Sequence, residues 1–363
     1  MTPAPIPDTY LVSRSFAPGA ANQPIANPEM NAILDQLSSL GGKPIEQLTP
    51  QEARQQPTPA DAVKALLKKR GQSTAPEPVA KVENKSIPGA GGEILIRIYT
   101  PKGPGPFPVI LYVHGGGWVI ADLDVYDSSP RALANAAEAI VVSTHYRLAP
   151  EHPFPASHED VFTAYKWVRA NAASFQGDPD RVAVAGESAG GNMAAAILLM
   201  AREQNVPLPL HQVLIYPVAG TDMDTPSFQE NANAKPLNKA MMAWFAKHEF
   251  KNPQDKLDPR IDLLNANLRG FPSTTIITAE IDPLRSGGKM LAEKLKAAGV
   301  EVDFKNYTGV AHEFFGMGAV LQESRDANKL AAQNLAKAFS HAGERAAAGQ
   351  GNIRSGHPEK GSN

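Results

Sequence analysis

Val182-Ala183-Val184-Ala185-Gly186-Glu187-Ser188-Ala189-Gly190 runs directly into Gly191-Asn192-Met193-Ala194-Ala195-Ala196-Ile197. The first four residues read as a buried strand, and the small and apolar residues after Gly190 read as the start of a helix. A serine at such a joint sits on a sharp turn that exposes its hydroxyl. Side chains at Gly186 or Gly190 would collide with the neighbouring strand and helix. The helix N-terminus adds positive potential beside any oxyanion formed at the serine. The G-x-S-x-G pattern alone is weak, with about 0.1 chance occurrences expected in a chain this long. A plain Gly/Ser turn is the alternative, and the strand and helix on either side argue against it.

A second segment, His114-Gly115-Gly116-Gly117-Trp118, follows the apolar run Val109–Val113. Three glycines after a buried strand let the backbone approach a ligand and turn its amides inward. Neither G-x-x-x-x-G-K-[ST] nor G-x-G-x-x-G follows, which disfavours a phosphate loop. The N–H groups of Gly116, Gly117 and Ala189 are therefore the expected oxyanion hole. His114 is expected to orient that loop and not to carry protons. Together the two segments supply what acyl transfer to Ser188 requires.

A serine needs a base, and the base needs a partner that fixes its tautomer. Five histidines follow Ser188: His211, His248, His312, His341 and His357. Only His312 lies in a loop directly after an expected strand. For the acid, Thr274–Ala279 reads as a strand leading into Glu280-Ile281-Asp282-Pro283-Leu284. Asp282, at the strand exit, is the first choice and Glu280 the second.

These motifs sit in an alternating pattern. Strands are expected at Glu93–Tyr99, Val109–Val113, Ile140–Thr144, Val182–Ala185, Gln212–Tyr216, Thr274–Ala279 and Val302–Tyr307. Helices are expected at Ser157–Ala173, Gly191–Asn205 and Ser286–Ala298, and the last helix over about Asp326–Ala348. Such alternation implies an α/β fold, a mostly parallel central sheet flanked by helices. Residues 1–85 lack strand character and hold two expected helices, Pro28–Ser39 and Pro59–Lys69. Ala60, Val63, Leu66 and Leu67 give the second an apolar face, so the region reads as a helical cap, a loose leader being the alternative. Residues 86–348 form the catalytic domain. Within it residues 220–270 interrupt the alternation, and the stripe Met241, Met242, Trp244 and Phe245 is either core packing or part of a cap insertion. Residues 349–363 read as a disordered tail.

The chain has 363 residues, a formal net charge of −2 and no cysteine. The charge gives no argument for nucleic acid or an anionic membrane as partner. Lack of cysteine removes disulfides, thiolate metal sites and a thiol nucleophile. Met1–Pro7 has no basic and apolar leader pattern, and no stretch is long and apolar enough for a stable membrane insertion, so a cytoplasmic location is expected. A processed secreted form would look the same.

The residues resemble the bacterial hormone-sensitive-lipase-like esterases, family IV of the α/β-hydrolase fold. The matching blocks are His114–Trp118, Tyr146-Arg147-Leu148-Ala149-Pro150-Glu151, His152–Ala156, Gly186–Asn192, Asp282-Pro283-Leu284-Arg285 and His312-Glu313-Phe314. The resemblance implies a triad of Ser188, Asp282 and His312 with an N-terminal helical cap. It also implies hydrolysis of short- to medium-chain carboxylic esters, small-molecule substrates, with no cofactor and no metal. A homodimer is compatible with it. Glu187 stands where the family more often has Asp, and Ser286-Gly287 where an acidic residue is usual; neither is expected to touch the triad. Arg147 and Glu151 are expected to pair. Two other functions stay open: an amidase on the same triad, and a non-catalytic receptor, against which the presence of His312 argues.

Overall fold

The computed structural model describes residues 24–354. Its N-terminal part is helical: α1 (Pro28–Ser39), the single turn α2 (Pro50–Ala53) and α3 (Pro59–Lys69). Each starts with the same device, a capping Asn27, Thr49 or Thr58 followed by proline, whose missing N–H is harmless at the first helical position. Asn27 accepts from the Met30 N–H, and Thr49 and Thr58 form capping boxes with Glu52 and Asp61. Pro28, Pro50 and Pro59 thus begin helices. Met30 and Ile33 from α1 and Ala62, Val63, Leu66 and Leu67 from α3 are buried. Ala60, expected on that face, is only half-buried, and Ala62 takes its place.

The expectation that residues up to 85 lack strand character is overturned by β1 (Lys81–Gly89), which pairs antiparallel with β2 (Gly92–Thr100). In β1 only Ile87 is buried, so there is no apolar alternation to read. Lys81, Glu83 and Lys85 make it a charged edge that discourages pairing with another chain.

Next come β3 (Phe107–Val113), α4 (Ser128–Ala136), β4 (Ile140–Thr144), α5 (Ala156–Asn171), β5 (Gly177–Glu187), α6 (Ala189–Glu203) and β6 (His211–Ile215). The interruption holds α7 (Pro226–Glu230) and α8 (Lys239–Glu249). Then β7 (Ser273–Ile281), α9 (Arg285–Ala297), β8 (Val302–Ala311) and α10 (Gln322–Arg354) complete the fold. Helix α4 has no counterpart among the sequence expectations. Helix α10 begins before Asp326 and carries helical backbone through residues 349–354 of the expected tail. Residues 355–363 of that tail, and 1–23 of the expected cap, lie outside the described residues.

The eight strands form one sheet in the order β1-β2-β4-β3-β5-β6-β7-β8. Only the β1/β2 and β2/β4 pairs are antiparallel; β4 through β8 run parallel. The period of two along each strand splits the core. Val109, Leu111, Val113, Val182 and Val184 face α5, α6 and α9. Ile110, Tyr112, Ala183 and Ala185 face the opposite layer, where α1, α3 and α10 pack. Helix α1 is tied to the far end of the chain: the Asn27 N–H donates to Gly309 O at 2.8 Å, and Asn27 Nδ2 donates to Glu323 Oε1 at 2.9 Å. Among the described residues, no helix is long and apolar enough to cross a membrane.

Candidate active site

The parallel pair β3/β5 brings the two glycine-rich motifs together, because Val113 and Gly186 stand opposite each other at the strand ends. Between β5 and α6, Ser188 has φ 57° and ψ −119°, a conformation that a side-chain-bearing residue rarely adopts. Its N–H donates to Ile215 O at 2.9 Å, and its carbonyl accepts from the Asn192 N–H at 3.1 Å. A Cβ at Gly186 would run into the Gly190 carbonyl, and one at Gly190 into the carbonyls of Val113 and His114. The turn therefore closes only with glycine at both places.

Ser188 Oγ lies 3.0 Å from His312 Nε2, and His312 Nδ1 lies 2.7 Å from Asp282 Oδ2. All three side chains are buried. With the proton on Nδ1 donated to Asp282, Nε2 is left to accept from the serine hydroxyl. Asp282 Oδ1 accepts from the Leu284 N–H at 2.8 Å, which fixes the carboxylate. Burial works against a charged imidazole, but Asp282, followed by Glu313 and Glu187, outweighs it, so the pKa of His312 is raised above its ordinary value. Glu280 goes elsewhere: it accepts from the Gly309 N–H at 2.7 Å, joining β7 to β8. His211 bonds Ser273 and Thr275 inside the sheet, His248 lies on α8, and His341 lies on α10.

The loop after β3 is braced from four directions. Gly116 and Gly117 have φ of 98° and 57°, and Trp118 follows at 63°, left-handed backbone that the two glycines adopt without strain. Gly116 O accepts from the N–H groups of Val119 and Ile120. His114 Nδ1 lies 2.8 Å from Gly115 O, and its ring stacks on Tyr146 at 4.3 Å. The Tyr146 hydroxyl donates to His114 O and Gly115 O. Burial, with His145 beside it, lowers the His114 pKa to about 3, so this imidazole stays neutral. The Phe245 ring of α8 packs where a Gly117 side chain would lie. Arg54, at the end of α2, donates to Val119 O at 2.8 Å.

Several contacts were not read from sequence. Arg147 pairs with Asp160 of α5, while Glu151 pairs with Arg54; the expected Arg147–Glu151 pair is therefore replaced by two others. Glu187 accepts hydrogen bonds from the hydroxyls of Tyr112 and Tyr216, and the Tyr216 ring lies 4.4 Å from that of His312. Glu187 thus reaches the histidine at one remove. Ser286 and Ser227 exchange hydrogen bonds, and Ser227 Oγ donates to Pro283 O at 2.6 Å, so α7 holds the Asp282 loop. Only the adjacency of Glu313 to His312 was visible in the sequence as a signal. A cavity of about 1530 Å³ lies between α3, α4 and α10, and neither Ser188, Asp282 nor His312 lines it.

Residues 110–316 match the family model described as alpha/beta hydrolase fold. The chain belongs to that family. It is 41% identical over 280 residues to a carboxylesterase, NlhH, of Mycobacterium tuberculosis, covering 74% of this chain and 88% of that one. It is 33% identical over 309 residues to an ethyl acetate hydrolase of Pseudomonas putida, covering 82% and 94%. An esterase structure from Pyrobaculum calidifontis aligns with a TM-score of 0.79 at 37% identity, over 86% of this chain and 98% of that one. Within the family the hormone-sensitive-lipase-like blocks place this α/β-hydrolase among the carboxylic ester hydrolases.

Proposed function

We propose that Ser188, His312 and Asp282 are the nucleophile, base and acid with which this carboxylic ester hydrolase works. The observation that carries the reading is the chain of contacts from Ser188 Oγ through both ring nitrogens of His312 to Asp282, at 3.0 and 2.7 Å. Ser188 Oγ attacks the ester carbonyl as His312 Nε2 takes its proton. The oxyanion is met by the N–H groups of Gly116, Gly117 and Ala189, the last at the first turn of α6. Collapse breaks the bond to the alkoxide, which leaves as the alcohol with the proton from Nε2. Water then repeats the steps on the acyl-enzyme.

The N-terminal helices and the 220–270 insertion together form the cap that shapes the acyl pocket. Supporting this, Trp244 Nε1 of α8 donates to Leu48 O at 3.1 Å, and Phe245 lies on Gly117. Both segments therefore meet at the oxyanion loop. Short- to medium-chain acyl groups are the substrates proposed for the pocket beneath that cap. A receptor reading would need a broken relay, and His312 stands within reach of Ser188. The test is turnover of p-nitrophenyl esters from acetyl to dodecanoyl by the full chain and its Ser188→Ala variant. Near-normal turnover in the folded variant would reject Ser188.

A further inference from the structure

Asp282 borders His312 on the Nδ1 side, and a second carboxylate borders it on the other. Glu313 Oε1 lies 3.8 Å from Nε2, the nitrogen that faces Ser188. Glu313 has φ 71° and ψ 2°, left-handed backbone that a long side chain rarely occupies. Such conformations persist where the surroundings over-determine them. Here the buried Tyr126 hydroxyl donates to Glu313 Oε1 at 2.6 Å. Backbone and tyrosine thus hold one oxygen near the nitrogen that must carry the proton. Glu313 keeps 20% of its side chain exposed whereas Asp282 keeps none; burial still pushes its carboxyl pKa up, and the adjoining His312 and the Tyr126 hydroxyl act against that by favouring the carboxylate.

We propose that Glu313, fixed by Tyr126, is a positioning residue that stabilises the His312 imidazolium from the Nε2 side during acyl transfer. The inference rests on the reading of His312 as the base. At 3.8 Å the contact is too long for a hydrogen bond, so the action is that of a fixed charge. The proton leaves Ser188 Oγ as the bond to the carbonyl carbon forms, rests on Nε2, and passes to the alkoxide oxygen as that oxygen departs. Glu313 receives no proton at any stage.

The other groups facing His312 come from three strand ends. Asp282 follows β7, Tyr216 follows β6 with its ring at 4.4 Å, and Glu187 ends β5 and holds Tyr216, with Tyr112 of β3 sharing its carboxylate. Glu187 and Glu313 line one small cavity of about 30 Å³ together with Tyr126 and Ser129. Glu187 is spent on two tyrosines, whereas Glu313 has one and an oxygen near Nε2. That difference selects Glu313.

The test is the pH profile of kcat/KM for p-nitrophenyl butyrate with the full chain, its Glu313→Gln, Tyr126→Phe and Glu187→Gln variants. In Glu313→Gln the acidic limb should move to lower pH by about one unit, because a neutral neighbour no longer favours the imidazolium. The plateau kcat should fall several-fold with KM little changed. Tyr126→Phe should move the limb in the same direction by less. An NMR titration of His312 in the Ser188→Ala background should show the same displacement on adding Glu313→Gln. An unmoved limb and an unmoved His312 titration in folded Glu313→Gln overturn the inference, as does a limb that moves only in Glu187→Gln. Should Glu313→Gln not fold, the His312 titration in Tyr126→Phe decides. A wild-type profile without an acidic limb rejects the base itself and is distinguishable from these outcomes.

Discussion

Arg54 and Glu151, 97 residues apart, are joined by a two-pronged ion pair, Nη1 to Oε1 at 2.9 Å and Nη2 to Oε2 at 2.7 Å. The same guanidinium donates to Val119 O and Ala149 O, both at 2.8 Å. One side chain from the N-terminal helices thereby fixes both the continuation of the loop after β3 and the segment after β4. The planar fork of arginine can serve all these acceptors at once, which an ammonium cannot.

Arg54→Ala is expected to cost about 1–3 kcal/mol, mostly through the two carbonyl bonds, since the partly exposed carboxylate is screened. Arg54→Lys keeps the charge but not the fork and should lose activity more than stability. Urea unfolding beside ester turnover checks this, and a variant unchanged in both would remove the clamp. Glu151 is held down to about 2 by its bond from Arg54. A depressed carboxylate contributes stability above its ordinary value and loses it as pH falls toward the folded one. Glu151→Gln should therefore flatten acid unfolding between about pH 4.5 and 2.

His312→Ala should be as damaging as Ser188→Ala, several powers of ten in kcat, because the three residues act as a unit. Asp282→Asn should leave more activity. Glu280→Gln should leave the chemistry near normal, since Glu280 bonds Gly309 and not His312. A crippled Glu280→Gln beside a healthy Asp282→Asn would reverse the choice of acid. The raised His312 pKa sets the direction with pH: the imidazole must be neutral to act as base, so turnover falls as pH drops through a value above the ordinary 6.5.

Phe245→Ala removes the ring that presses on Gly117 and should cost about 3–5 kcal/mol as a buried aromatic truncation. Phe245→Leu fills most of that space and should fold well. With the ring gone, the amides of the proposed oxyanion hole lose a support, and kcat should fall about tenfold. An unaltered kcat in folded Phe245→Ala would show that α8 does not hold the loop.

Glu187→Asp shortens the carboxylate that joins Tyr112 to Tyr216. It leaves one buried hydroxyl unpaired, a cost of about 1–3 kcal/mol. Because the Tyr216 ring lies against His312, kcat should fall as well. Tyr216→Phe keeps the ring and should lose less activity than Glu187→Asp. The opposite ranking would mean that the hydroxyl matters more than the seat of the ring.

The sheet was legible because its inner strands are apolar on both faces, so runs such as Val109–Val113 stand out without knowledge of neighbours. β1 escaped because it is an edge strand whose only buried side chain is Ile87. The proposed triad residues were legible from order and from strand exits, which are local properties. Arg54 and Tyr216 were not, and Phe245 only as one member of an apolar stripe, since each matters through a partner far along the chain and no periodicity marks such a pairing. Arg147 and Glu151 show the same limit: proximity in sequence suggested a pair, and the fold gave each another partner.

The contact between Asn27 and Glu323 spans 296 residues, so it fixes an order of events during synthesis. Helix α1 leaves the ribosome long before β8 and the start of α10, yet its bonds to Gly309 and Glu323 cannot form until those have emerged. Until then Met30 and Ile33 of α1 have no finished surface on which to lie. The proposed nucleophile is made midway through the chain and its proposed histidine partner 124 residues later. A message cut before residue 312 gives Ser188 without its proposed base, and one cut between 312 and 322 gives all three proposed residues without the share of one sheet face that α10 covers.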